Sequence, residues 1–110
     1  EVSPELMLQL CQLLFPAHDK GGLPVSAYAA RVARADWSEP AGAQLDIGVK
    51  DLGLARQLAD QSRTPLPLAD LLYQRLLAAQ RMGYGSADWC AVAAVARQQA
   101  GLPPARPPAP

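Results

Sequence analysis

The strongest constraint on the fold lies in residues 45–61, LDIGVKDLGLARQLADQ. Leu45, Gly48, Val49, Leu52, Ala55 and Ala59 recur at i, i+3, i+4 and i+7 spacing, with Leu58 beside them. That period buries one stripe of an α-helix and is incompatible with a strand, whose side chains alternate with a period of two. Lys50 and Asp51 interrupt the stripe near its start. The helix dipole favours a cation in the last turn rather than the first turns. Lys50 is therefore either a solvated side chain whose stem lies along apolar surface, or a cation placed to meet something negative or polar. Gly53 costs about 1 kcal/mol relative to alanine in a helix interior. It marks either simple tolerance or close packing of another backbone or a ligand.

The flanking sequence has the same character. Ser3, Pro4 and Glu5 form a helix start: a capping hydroxyl, a proline in the first turn and an early acid. Leu6, Leu10, Leu13 and Leu14 continue it as a stripe, widened by Met7 and Cys11, to a stop near Phe15 before Pro16. Pro24 and Ser26 open a second helix to about Arg34, with Tyr28, Ala29, Val32 and Ala33 on its face. The central helix ends near Ser62, and Thr64-Pro65-Leu66-Pro67 is a stiff connector. A fourth helix runs from about Pro67 to Met82 on Leu68, Leu71, Leu72, Leu76 and Ala79, and Gly83 terminates it. Ser86 is the predicted cap of a fifth helix, with Asp88 in its first turn and Trp89, Val92, Ala93, Ala96 and Ala100 inward. Residues 102–110 hold five of the eleven prolines and read as a polyproline-like tail. No segment alternates like a strand. The fold class expected is all-α, a five-helix bundle over residues 1–102 followed by the Pro-rich tail 103–110.

Several classes of function are disfavoured. Ten basic and ten acidic residues cancel, with no basic run, which argues against nucleic acid as a partner. No apolar run approaches the roughly 18 residues of a membrane span, and no signal-peptide pattern is present; a cytoplasmic location is expected. The first residue is Glu1, so the chain is expected to be a piece of a longer protein or a processed product. Cys11 and Cys90 lack metal-type neighbours; they read as two small buried hydrophobes, with a disulfide left open. His18 sits in a polar turn without a positioning partner and reads as solvated. Trp37, in a Pro/Gly-rich loop, either plugs a gap between helices or lines a site. No catalytic and no metal-binding residue is assigned.

Read as a string, Lys50-Asp51-Leu52-Gly53-Leu54-Ala55 resembles the KDLGLA signature of the β-hydroxyacid dehydrogenases, the group of 3-hydroxyisobutyrate dehydrogenase and the 6-phosphogluconate dehydrogenase-like proteins. Thr64-Pro65-Leu66-Pro67-Leu68 resembles the family's VPLPL connector, and residues 71–82 resemble the helix that follows it. Residues 84–92, YGSADWCAV, are similar to its G-x-x-D-[FY]-S-A-[VL] segment, with Trp89 for the aromatic and Cys90 for the serine. Ser3-Pro4-Glu5-Leu6 resembles the family's D-P-E-L helix start, and Asp36-Trp37 falls where Asp-Phe is usual. The likeness covers roughly residues 3–101.

The resemblance implies the helical C-terminal domain of an enzyme whose N-terminal half is a dinucleotide-binding Rossmann domain. It implies NAD or NADP as cofactor in the full-length protein, a small 3-hydroxy acid as substrate, and Lys50 as the residue that contacts the cofactor. The isolated chain would be inactive. The chain departs from the family in three places. The Rossmann fingerprint is absent. Nothing matches the G-x-x-G-x-x-x-K-x-x-N helix with the catalytic lysine, a pattern that Lys20 does not fit. Residues 14–24 diverge. The alternative reading is a non-catalytic helical interaction or oligomerisation module derived from the same scaffold. In either case uncovered apolar helix faces predict a homo-oligomer.

Overall fold

The computed structural model describes residues 3–14, 25–38 and 42–104. Helix α1 spans Pro4–Leu14, α2 Val25–Arg34, α3 Leu45–Ser62, α4 Pro67–Ala79 and α5 Ala93–Gln99. A π-type turn, Gln80–Tyr84, follows α4, and a single 3-10 turn, Trp89–Val92, precedes α5. The described residues contain no strand; an isolated antiparallel bridge joins Gln44 and Asp88. The expected all-α architecture of five helices is what these residues form. Phe15, Pro16, His18, Lys20, Pro24 and residues 105–110 of the Pro-rich tail lie outside the described residues, as does the side chain of Cys11.

Local chemistry sets most helix ends. The Ser3 hydroxyl accepts from the Leu6 N–H at 3.1 Å and caps α1. Pro67 occupies the first turn of α4, where its missing N–H costs nothing. At the end of α3, Arg63 turns left-handed at φ 53° and the Thr64 N–H reaches back to the Ala59 carbonyl at 2.9 Å. This closes the helix without glycine. Helix α4 stops earlier than expected, at Ala79, because the chain widens into the π turn; Gly83 at φ 96° ends that turn.

The long pair α3 and α4 runs antiparallel. A β-carbon on Gly48 would lie 3.3 Å from Leu76 Cδ1, so the two helices approach closely at this glycine. Farther along, Arg56 donates to Asp70 at 2.6 Å and lies 4.4 Å over the Tyr73 ring. A β-carbon on Gly53 would meet Tyr73 Cε2 at 3.6 Å, an ordinary contact. Of the two readings of Gly53, tolerance is the one that the packing supports. Gly53→Ala is accordingly expected to raise stability by about 0.5–1 kcal/mol in chemical denaturation; a loss would reveal a tight contact at this position.

The core sits where the start of α3, the end of α4 and the segment 84–95 meet. Leu45, Ala79 and Ala91 are completely buried, with Leu76, Tyr84, Ala87, Ala94 and Val95 packed around them. Trp37, 2 % exposed, fills the space between these elements, the plug rather than a site-lining group. Its Nε1 has no hydrogen-bond partner. On α3 the predicted stripe is inward: Leu45 and Ala59 are buried and Val49, Leu52 and Ala55 half-buried, while Leu58 is exposed. On α4 the same stripe divides. Leu76 and Ala79 enter the core, but Leu68, Leu71 and Leu72 remain exposed.

Candidate functional site

Lys50 lies on the outward side of α3, because Leu45, Gly48, Val49 and Leu52 turn the opposite side inward. Its side chain is 65 % exposed and its Nζ is 3.1 Å from Oδ1 of Asp51, itself 63 % exposed. An ion pair between two solvated neighbours is worth at most about 1 kcal/mol and releases either group at little cost. Exposed Ile47 and Leu54 flank the pair on the same surface. Beside it runs a groove of about 560 Å³ between α3 and α4. Gly48, Leu52, Ala55, Leu72 and Leu76 line it, with Asp51, Gln44 and Trp89 among its other walls. A cation with three donors thus stands on open, largely apolar surface beside a cleft.

A second polar constellation is buried. Asp88 is 1 % exposed. Its Oδ1 accepts from the Cys90 N–H at 3.0 Å, its Oδ2 accepts from the Gly42 N–H at 2.9 Å, and Arg31 Nη1 stands 3.1 Å from Oδ2. Burial alone would raise the carboxyl's pKa. The hydrogen bonds from Cys90 and Gly42 and the Arg31 charge outweigh it and hold Asp88 below the usual carboxylate value. The adjacent Cys90 thiol is pushed up to about 12, by burial first and then by the Asp88 carboxylate. The protonated thiol is not a nucleophile near neutral pH, and both oxygens of the carboxylate are engaged by Cys90, Gly42 and Arg31. The cluster ties α2, the 42–44 segment and the 3-10 turn together. Cys90 forms no disulfide, and as expected it is a buried small hydrophobe. With its pKa near 12 it is expected to resist thiol reagents at pH 8 in the folded chain and to react on unfolding; rapid labelling of the native protein at Cys90 would contradict this placement.

This cluster corrects the reading of the last helix. Ser86 is exposed and caps nothing; Asp88 is the cap, of the 3-10 turn. The inward face is correspondingly displaced, to Cys90, Ala91, Ala94 and Val95, while Trp89, Ala96 and Ala100 are exposed. The physical reason is pairing between the 85–89 and 42–46 segments. The Leu45 N–H donates to Ala87 O at 2.9 Å, Asp46 N–H to Gly85 O at 3.0 Å, and Trp89 N–H to Ala43 O at 2.9 Å. The orphan donors of the α3 N-terminus are met by these carbonyls, so Gln44 needs no capping side chain. Gly85 permits the approach: a β-carbon there would sit 2.5 Å from Asp46 Oδ1. Trp89 instead stacks edge-on against Tyr28, ring centroids 5.8 Å apart at 85°. Among the described residues no group of three His, Cys, Asp or Glu side chains could hold a metal ion, and no helix is long and apolar enough to cross a membrane.

No protein-family model matches the sequence. The chain is similar to an uncharacterized oxidoreductase of Bacillus subtilis (strain 168), YfjR, with 32 % identity over 71 residues. That stretch is 64 % of this chain and 25 % of the relative, so the chain matches about a quarter of the relative's length.

Proposed function

We propose that this chain is the helical C-terminal domain of an NAD(P)-dependent β-hydroxyacid dehydrogenase, with a fold like that of the 6-phosphogluconate dehydrogenase C-terminal domain. In this reading it is joined in the intact protein to an N-terminal Rossmann domain that holds NAD or NADP. The observation that carries the reading is the position of the Lys50-Asp51-Leu52-Gly53-Leu54-Ala55 string. Its Lys50, Asp51 and Leu54 share the outward side of α3 while Leu52 and Ala55 turn inward, and Lys50 is open to solvent and paired with Asp51, itself exposed. The all-α architecture and the likeness to an oxidoreductase support it.

The described residues suit one side of a nicotinamide site. Lys50 offers three N–H donors to cofactor or substrate oxygens, and Ile47 and Leu54 provide apolar surface against which a second domain can exclude water. The cofactor supplies the hydride chemistry; Lys50 binds and orients. No catalytic residue is assigned within this chain, so the isolated polypeptide is expected to be inactive.

The full-length protein is expected to oxidise a small 3-hydroxy acid with reduction of NAD or NADP. Lys50→Ala in that protein is expected to raise the KM for the cofactor at least tenfold while leaving the thermal midpoint unchanged, as its exposure dictates. A full-length protein that neither binds nor turns over NAD(P) would refute the assignment. It would leave the non-catalytic assembly module, which the exposed leucines of α1 and α4 favour.

A further inference from the structure

The groove between α3 and α4 is roomier than a four-carbon acid requires. Its volume, about 560 Å³, lies within the roughly 300–1,000 Å³ of pockets that enclose drug-sized ligands. Leu52, Ala55 and the buried Leu76 form its floor. Ile47 and Leu72 stand at its edges, 45 % and 43 % exposed. Gly48 adds no side chain to the floor; a β-carbon there would already lie 3.3 Å from Leu76 Cδ1. Most of the lining is therefore hydrocarbon.

One end and one lip differ in chemistry. At the start of α3 the groove meets Ala43, Gln44 and Trp89. Trp89 is 45 % exposed, yet it is held in place. Its backbone N–H donates to Ala43 O at 2.9 Å, and its ring meets Tyr28 edge-on at 5.8 Å. A fixed aromatic ring open to solvent is an anchor for an apolar ligand group. Among the described residues that line the groove, Asp51 alone is charged. Lys50 Nζ, 3.1 Å from Asp51 Oδ1, brings an ammonium to that lip. The ammonium keeps further N–H donors for a ligand oxygen. A polar lip beside an apolar trough suits an amphipathic molecule, with its oxygens at Lys50 and its hydrocarbon along the groove.

Within the dehydrogenase reading, on which this rests, we propose that the α3/α4 groove is the subsite for the substrate's carbon chain. The substrate is then a 3-hydroxy acid with about four or more further carbons beyond the hydroxyl-bearing one, enough to occupy a pocket of this size. Lys50 meets its oxygens at the lip. Ala55, Leu72 and Trp89 meet the chain and determine specificity, away from the reacting carbon. The ion pair favours a ligand over a protein segment as occupant. A helix laid along the groove would desolvate Lys50 and Asp51 together, at a large cost, whereas an acid with an oxygenated end leaves the pair in a polar setting.

The chain-length dependence of kcat/KM in the intact protein tests this, with 3-hydroxybutyrate, 3-hydroxyhexanoate and 3-hydroxyoctanoate as substrates. Each methylene taken out of water strengthens binding about fourfold. The eight-carbon acid is therefore expected to exceed the four-carbon acid by at least about 30-fold. Ala55→Phe, which fills the groove, is expected to lower that ratio at least tenfold, through the KM for the longer acid. Trp89→Ala, at an exposed side chain, removes the anchor and is expected to lower the ratio at least fivefold. An active enzyme whose kcat/KM is flat or falls with chain length overturns the proposal and gives the groove to a protein partner. So does a chain-length preference that both variants leave intact. An intact protein that oxidises none of the three acids with NAD(P) refutes the dehydrogenase reading, and the groove assignment falls with it. The two failures are thus different results: no activity in one case, activity without chain selection in the other.

Discussion

Asp88→Ala is expected to destabilise the chain by about 3–5 kcal/mol, the cost of breaking a buried ion pair by removing one partner. The loss has three parts. Arg31 gives up its 3.1 Å contact, and the N–H groups of Gly42 and Cys90 lose the oxygens that accept from them. Small domains have about 5–15 kcal/mol in all, so a large share of the total is at stake. Urea denaturation measures it, and a loss under 1 kcal/mol would mean that the cluster is not a structural clamp. The same group sets an acid limit. Its carboxyl is held below the ordinary value, so the stability it contributes is fully present above the unfolded pKa of about 3.9 and is lost as pH falls through the folded pKa. As far as Asp88 is concerned, the denaturation midpoint is expected to be flat from pH 7 to about 5 and to fall below about pH 4. Asp88→Asn should flatten the acid limb.

Trp37→Ala is expected to cost about 3–5 kcal/mol, from lost transfer energy and the cavity left at the centre of the core. Trp37→Phe separates packing from polarity. It keeps much of the ring volume and removes the buried Nε1, which has no hydrogen-bond partner. An unsatisfied buried donor costs about 1–3 kcal/mol, so deleting it offsets part of the lost area. The phenylalanine variant is expected to lie within about 1.5 kcal/mol of the native chain. If both variants lose equally, Nε1 has a partner in solution.

The central helix was legible because its signals are local. The inward stripe of residues 45–59, the Ser3 cap and the Pro67 start each lie within one or two turns of what they determine. Lys50 was legible as an anomaly for the same reason: a cation interrupting an apolar period near a helix start. The error at the last helix arose from a distant partner. Ser86 and Asp88 are both acceptable caps by propensity. The choice fell to Asp88 because Gly42, forty-six positions away, donates to it and Arg31 pairs with it. That choice moved the inward face from Trp89, Ala96 and Ala100 to Cys90, Ala91, Ala94 and Val95. No local window contains the Gly42 or Arg31 end of these contacts.

Periodicity also leaves open what covers an apolar face. The stripes of α1 and α4 are as regular as that of α3, yet Leu6, Leu10, Leu13, Leu68 and Leu71 are exposed. By itself the sequence determined that the chain is helical, where most helices begin and end, and which face of α3 turns inward. These follow from backbone sterics, capping and the 3.6-residue period, which act over a few residues. Only the tertiary structure decided that Asp88 clamps the 42–44 segment to the start of the last helix, that Trp37 fills the core, and that the leucines of α1 are uncovered. Those outcomes depend on which distant groups share a buried, low-dielectric space, where an unpaired charge or an unfilled volume costs several kcal/mol and a local preference costs about one.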